Sequence, residues 1–317
     1  MRILKWLFIS ITALFAIGFA IEYTPDTDPV EMRAKYGSAP SQFLSLSPGL
    51  TVHVRDQGPR DGQAVILIHG SNASLQTWEP WVARLQDEYR VISLDLPGHG
   101  LTDINPSGVY DYPSYAAVVD QVMQKLGIPS AIIAGNSMGG GVAWTYALAH
   151  PDKVAGLVLV DAAGAPNAAS RNAPIGFRIA RMPIIKELAR VIMPRAMFEL
   201  SLKTSISNAA IITPQMVDRY WELNRYPGNR EATMLRFAAA QKSRPVTPAQ
   251  LAEIKAPVLI LWGAEDNLIP VSSGQWFHKN LPGSKLIIYP KVGHIPMEEV
   301  PDRSVADVTA WMKGLAS

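Results

Sequence analysis

Ala131-Ile132-Ile133-Ala134-Gly135-Asn136-Ser137-Met138-Gly139-Gly140-Gly141 carries a short apolar run straight into a glycine-framed serine. The run reads as a buried strand and Val142 to His150 as a helix, so Ser137 falls at a strand-to-helix corner. In the Gly-x-Ser-x-Gly spacing the serine backbone is strained, and the flanking glycines let the next helix pack close beneath it. The hydroxyl is thereby pushed into the open. A glycine-rich turn with an incidental serine has the same local pattern, and the flanking segments decide between the two.

Upstream, Leu50 to Arg55 alternates like a half-exposed strand, and Ala64 to Ile68 is a continuous apolar run that ends in His69-Gly70-Ser71-Asn72. A buried strand ending in such a loop can aim backbone N–H groups at a ligand beyond its carboxyl end. The Ser71 N–H is the candidate for half of an oxyanion hole. Ser74 to Asp87 reads as a helix whose Trp78 and Trp81 are core residues. Val91 to Leu94 is another buried strand, followed by the tight loop Asp95-Leu96-Pro97-Gly98-His99-Gly100. Asp95 and His99 are chemically capable, but loops this rich in Gly and Pro use polar side chains to satisfy their own backbone. Tyr115 to Leu126 is a helix, and the Ser137 strand follows. Such alternation of strand and helix predicts a parallel sheet covered on both faces.

In order and spacing, His69-Gly70, the Asp95 to Gly100 loop and Gly135-Asn136-Ser137-Met138-Gly139-Gly140 resemble the α/β-hydrolase superfamily. With Val154 to Asp161 and the later segments, the likeness spans roughly residues 43–315. The resemblance implies an α/β-hydrolase fold: a mostly parallel central sheet, helices on both faces, and a helical cap inserted after the sixth strand. The domain division expected is 1–23 signal or anchor, 24–42 linker, 43–163 core, 164–247 cap and 248–317 core.

In the insertion, the helical pattern is broken by Pro174, Pro183, Pro194, Pro214 and Pro227. Between residues 164 and 246 it holds thirteen Lys and Arg against five Asp and Glu. One reading is a solvated face over ordinary packing; the other is a surface-seeking lid, drawn to anionic lipid headgroups and exposing its apolar side on opening.

The strand Val258 to Trp262 leads into Gly263-Ala264-Glu265-Asp266-Asn267-Leu268-Ile269-Pro270. In the resembling family an acid in this loop orients the catalytic histidine. The spacing matches at Asp266, with Glu265 and then Asp161 as lesser alternatives. Leu286 to Tyr289 is the last strand, and among six histidines His294 alone sits in a glycine-preceded loop after a late strand. His53, read as exposed, and His150 are structural, and His278 is a surface residue. The chain order Ser137, Asp266, His294 is the family's serine, acid, histidine order. The resemblance makes Ser137 the nucleophile, His294 its base and Asp266 the orienting acid. The N–H groups of Ser71 and Met138 form the oxyanion hole.

The reading that follows is a serine hydrolase of carboxylic esters, of the esterase or lipase kind. Its alternatives are a hydrolase cleaving C–C bonds in ring-fission products, which also carries Gly-Asn-Ser-Met-Gly-Gly, and a ligand receptor that keeps the triad. No metal or organic cofactor is implied, and the partner expected is a small-molecule ester or lipid.

Composition narrows the field further. The chain has 317 residues, 48% of them hydrophobic and 18% charged, and can bury a substantial core. A net charge of +2, without zinc-finger, RNA-binding or phosphate-loop patterns, argues against nucleic acid. Having no cysteine, it has no disulfides, thiolate catalysis or Cys-based metal sites. At the start, Arg2 and Lys5 precede 16 uncharged residues, Trp6 to Ile21. As a helix these reach about 24 Å, short of the roughly 30 Å hydrocarbon core. Small residues Gly18 and Ala20 suit a signal peptidase, so a cleaved signal and an uncleaved anchor both remain open. Either places the rest of the chain outside the cytoplasm.

Overall fold

The computed structural model describes Trp6 and residues 23–47, 49–166, 191–242 and 244–315. The N-terminal segment expected to be a signal or anchor, Trp6 and Tyr23 apart, lies outside these residues, as does the stretch 167–190 of the expected cap. No helix among the described residues is long and apolar enough to cross a membrane.

In chain order the principal elements are α1 (Pro29–Tyr36), β1 (Ser41–Leu46), β2 (Leu50–Gln57), β3 (Ala64–Ile68), α2 (Glu79–Leu85), β4 (Arg90–Leu94), α3 (Tyr112–Lys125), β5 (Ala131–Asn136), α4 (Met138–Ala149) and β6 (Val154–Val160). Then come α5 (Arg195–Ser205), α6 (Pro214–Asn224), α7 (Asn229–Lys242), β7 (Val258–Gly263), α8 (Val271–Asn280), β8 (Lys285–Tyr289) and α9 (Pro301–Lys313). The eight strands form one sheet in the order β1-β2-β4-β3-β5-β6-β7-β8. It is antiparallel at β1-β2 and β2-β4 and parallel from β4 to β8. This is the mostly parallel sheet expected from the strand and helix alternation and the α/β-hydrolase architecture that the resemblance implies, with helices inserted after the sixth strand.

Strands covered on both faces need apolar residues at successive positions, and β3, β5 and β7 are buried along their whole length. Alternate residues go to opposite sides. Ile66, Ile133, Leu159 and Ile260 share a core with Val119, Val142 and Phe277 from α3, α4 and α8. Leu67, Ile132, Val158 and Leu259 share the other with Trp78, Trp81 and Val308, so both tryptophans are core residues, as expected. Helix α4 lies close under the sheet: a Cβ at Gly139 would stand 2.2 Å from the Ile68 carbonyl oxygen. Only glycine permits that approach.

Two features differ from the sequence reading. Residues 24–42, expected to be a spacer because of their prolines, contain α1 and the start of β1. The Asp28 carboxylate caps this helix by accepting the N–H groups of Val30 at 2.7 Å and Glu31 at 3.1 Å, Pro29 opens it, and Met32 on it is buried. Strand β2 is interior rather than half-exposed, because β1 pairs along its outer edge, and His53 is therefore fully buried.

Candidate active site

Because β3 to β8 run parallel, the loops after β3, β5, β6, β7 and β8 gather at one edge of the sheet. They carry Ser71, Ser137, Asp161, Asp266 and His294.

Ser137 has φ 55° and ψ −118°, a left-handed conformation that a residue with a Cβ adopts only when its surroundings compel it. Those surroundings are hydrogen bonds: its N–H donates to Val160 at 3.0 Å, and its carbonyl accepts from Gly141 at 3.2 Å and Ala163 at 2.8 Å. Gly70 presses against this corner, where an added Cβ would lie 2.8 Å from Asn136 Oδ1 and 3.2 Å from Ser137 Cβ. Met138 opens α4, and neither its N–H nor that of Ser71 donates to an acceptor among the described residues. The His69 ring supports the loop from below. Its Nδ1 lies 2.7 Å from the Gly70 oxygen and its Nε2 accepts the Leu96 N–H at 3.0 Å, an arrangement of the neutral tautomer. Burial holds the His69 pKa below its ordinary value.

His294 Nδ1 lies 2.7 Å from Asp266 Oδ2, and the second Asp266 oxygen accepts the N–H groups of Leu268 at 2.7 Å and Ile269 at 3.0 Å. Nε2 of His294, the ring nitrogen not bonded to Asp266, is the one left to exchange a proton with a neighbour. Glu265 is exposed and takes no part. Asp161 comes closer: ligating atoms of Asp161, Asp266 and His294 lie within 4.8 Å of one another. Yet the histidine bonds to Asp266, and Asp161 Oδ1 accepts the Gly263 N–H at 2.9 Å. Burial first, then the neighbouring Asp266 charge, pushes the Asp161 carboxyl well above the carboxylate range.

The remaining polar side chains of the loops are structural. Asp95 accepts His53 Nδ1 at 2.7 Å and the N–H groups of Leu75 at 2.7 Å and Leu101 at 2.9 Å. Burial works to raise its pKa, but His53 and these donors hold it below the ordinary value. His99 is buried beside His69, with its pKa held well down by burial and then by the Arg236 charge. His278 is an exposed helix residue bonded to Ser284 at 2.9 Å, and His150 lies tilted against Tyr146 with ring centroids 4.8 Å apart.

Three residues that sequence reasoning passed over position the site. Asn136 donates its side-chain amide to the carbonyls of Val160 at 3.2 Å and His294 at 3.0 Å. Glu299 accepts Gly293 N–H at 2.8 Å with one oxygen, and Ser207 and Asn208 N–H at 3.0 and 3.2 Å with the other. It thereby ties the histidine loop to the end of α5, and His294 N–H donates to the Ser205 carbonyl at 2.8 Å. Arg236, on α7, reaches Ser71 Oγ and Asn72 Oδ1. The only trace of these roles in the sequence is the basic excess of the insertion, and several of its described arginines are paired or buried. Arg219 pairs with Glu298 at 2.7 Å, Arg195 with Asp218 at 2.6 Å, Arg230 with Asp26, and Arg236 is buried.

Above the strand ends lies a cleft. Gly70, Ser71, Asn72, Ser137 and His294 line its floor, and Met193, Met197, Phe198, Leu202, Met234 and Phe237 from the insertion line its roof. No Lys, Arg, Asp or Glu is among the described lining residues.

A family model described as the alpha/beta hydrolase fold matches residues 63–301. An uncharacterised protein of Mycobacterium tuberculosis is 31% identical over 262 residues, covering 79% of this chain and 75% of its own length. A 2-hydroxy-6-oxononadienedioate/2-hydroxy-6-oxononatrienedioate hydrolase of Comamonas testosteroni is 28% identical over 271 residues, covering 81% of this chain and 91% of that one. Among solved structures, a membrane phospholipase A described as a bacterial virulence factor superposes with a TM-score of 0.78. It is 24% identical, covers 99% of each chain, and shows the shared fold.

Proposed function

The chain belongs to the alpha/beta hydrolase fold family, and from that premise we propose that it is a serine hydrolase cleaving carboxylic esters of the esterase or lipase kind. In this reading Ser137 Oγ attacks the acyl carbon while His294 Nε2 takes its proton, and Asp266, bonded to Nδ1, fixes the tautomer and offsets the imidazolium charge. The N–H groups of Ser71 and Met138 receive the oxyanion, and water activated by the same histidine releases the acid from the acyl-enzyme. Residues 164–247 act as the cap over residues 43–163 and 248–317.

One observation carries the choice of substrate class: the roof of the cleft is apolar, formed by Met193, Met197, Phe198, Leu202, Met234 and Phe237. A dienedioate, the substrate in the name of the Comamonas relative, carries two carboxylates, and burying a carboxylate against such a roof is costly. A neutral acyl chain suits a roof of Met, Phe and Leu, and Met193, Met197 and Met234 supply adaptable packing. We further infer that residues 1–23 direct the chain out of the cytoplasm, with Arg2 and Lys5 retained inside, and that the protein there meets esters and lipids. Fractionation with N-terminal sequencing tests this; a soluble cytosolic product with intact Met1 rejects it.

The test of activity is turnover of nitrophenyl esters from acetyl to palmitoyl, with Ser137→Ala alongside. Turnover lost in the variant establishes the ester hydrolase, and the preferred chain length measures how much of the cleft the acyl group fills. A folded protein inert on every ester shifts the assignment to C–C hydrolysis or to a ligand receptor.

A further inference from the structure

Arg236 is 5% exposed, and no carboxylate lies within ion-pair distance of it among the described residues. An arginine side chain in that position is costly unless its donors are satisfied and a compensating charge arrives. Its donors are spent on the floor of the cleft. Nη1 reaches Ser71 Oγ and lies 3.4 Å from Met138 Sδ, while Nη2 reaches Asn72 Oδ1 and lies 3.3 Å from Thr233 Oγ1. Nε is buried without a partner. The groups around it are neutral or disfavoured as cations: Tyr112 and Tyr115, the face of Phe237 at 4.9 Å, and His99.

The two side chains that Nη1 touches belong to the two residues whose backbone N–H groups are assigned to the oxyanion hole. We propose that Arg236 is a positioning residue through which the cap sets the oxyanion hole, holding Ser71 and Met138 in register and supplying a fixed positive charge that is compensated only when the oxyanion forms. This rests on the assignment of Ser137, Ser71 and Met138 made above. The physical logic is that of differential binding: an unpaired cation in a dry site gains little from a neutral ester and much from a tetrahedral anion. Because Arg236 stands on α7 and Ser71 follows β3, the hole is complete only with the insertion seated on the core.

The test uses the full chain as wild type, Arg236→Met and Arg236→Lys. Each is titrated with butylboronic acid, whose boron accepts an electron pair from Ser137 Oγ as His294 takes the hydroxyl proton, giving a tetrahedral anion. In parallel, kcat and KM are measured on nitrophenyl butyrate. Arg236→Met is expected to weaken the boronate about tenfold to a hundredfold and to lower kcat by a similar factor with KM nearly unchanged, and Arg236→Lys to recover part of the loss. If the Met variant does not fold, Arg236→Lys and Asn72→Ala, which removes one anchor of the guanidinium, take its place. Boronate affinity within twofold of wild type in the folded variants overturns the proposal, as does a loss carried entirely by KM. A wild type that turns over no ester rejects the ester assignment, and the boronate comparison alone then decides for or against Arg236.

Discussion

The side-chain amide of Asn136, one residue before the predicted nucleophile, donates to the main-chain oxygen of His294 at 3.0 Å. Residues 158 positions apart are thus tied by a single buried side chain, which also holds the end of β6 through the Val160 carbonyl at 3.2 Å. Asn136→Ala leaves two buried carbonyls without this donor, at a cost of about 1–3 kcal/mol. Because the histidine loop is then free to drift from Ser137, turnover is expected to fall about tenfold to a hundredfold. Urea unfolding and ester kinetics read the two effects separately. Unchanged kcat in a destabilised variant would confine Asn136 to a structural part.

Asp266 and Asp161 are told apart by their partners. Asp266 bonds to His294 Nδ1 at 2.7 Å, whereas Asp161 accepts the Gly263 N–H at 2.9 Å and is pushed toward its protonated form by burial and then by Asp266. Asp266→Asn is expected to lower kcat by about four orders of magnitude, because an amide presents the wrong partner to the imidazole N–H. Asp161→Asn leaves the bond between Asp266 and His294 in place and is expected to keep kcat within about fivefold. Equal losses in the two variants would mean that the pair acts as one unit.

The same pair predicts a pH dependence of stability. An acid whose folded pKa lies above its unfolded value binds more protons in the native state, so stability is greatest below the unfolded pKa and falls as pH rises toward the folded one. Asp161 is such an acid. Asp161→Asn does not ionise and escapes the loss. Its melting temperature relative to wild type is therefore expected to rise with pH from about pH 4 upward, the start of the unfolded carboxylate's titration. Melting curves from pH 4 to 9 that stay parallel for the two proteins would contradict the assigned protonation.

What could be read in the chain follows from the range of the interactions. Strands buried on both faces declare themselves as apolar runs, so β3, β5, β6 and β7 were legible, and glycines at strand ends marked the Ser137 and His294 loops. Strand β1, Ser41–Leu46, carries Ser41, Gln42 and Ser45 and has no such signature, because an edge strand covers only one side. Helix α1 was hidden by prolines, although Asp28-Pro29 is itself a helix start. Asp266 was legible from its loop spacing, but the packing of Asp161 against it depends on adjacent strand ends, and the burial of Arg236 on a contact spanning 165 residues. No local pattern records either one, and the arginines of the insertion read as surface charge although several pair inward.

The chain just after the N-terminal apolar segment is strapped across the insertion. Thr24 donates its N–H to the Val191 carbonyl at 2.8 Å and accepts the Met193 N–H on its hydroxyl at 2.7 Å. Arg230 on α7 donates to the Thr24 carbonyl at 2.7 Å and pairs with Asp26, and Lys35 and Tyr36 both reach Glu222 on α6 at 2.7 Å. Arg230 is 8% exposed, so Asp26→Ala removes the counter-charge of a buried guanidinium, and a loss of about 1–3 kcal/mol in the local stability of α6 and α7 is expected. The acetyl ester reaches only the floor of the cleft, so its kcat should change less than about threefold, because none of the floor contacts is touched. Hydrogen exchange in α6 and α7 should quicken by the factor corresponding to that free energy, about fivefold to 150-fold. If exchange there is unchanged while global stability falls, the strap stabilises the whole domain and does not hold the insertion in particular.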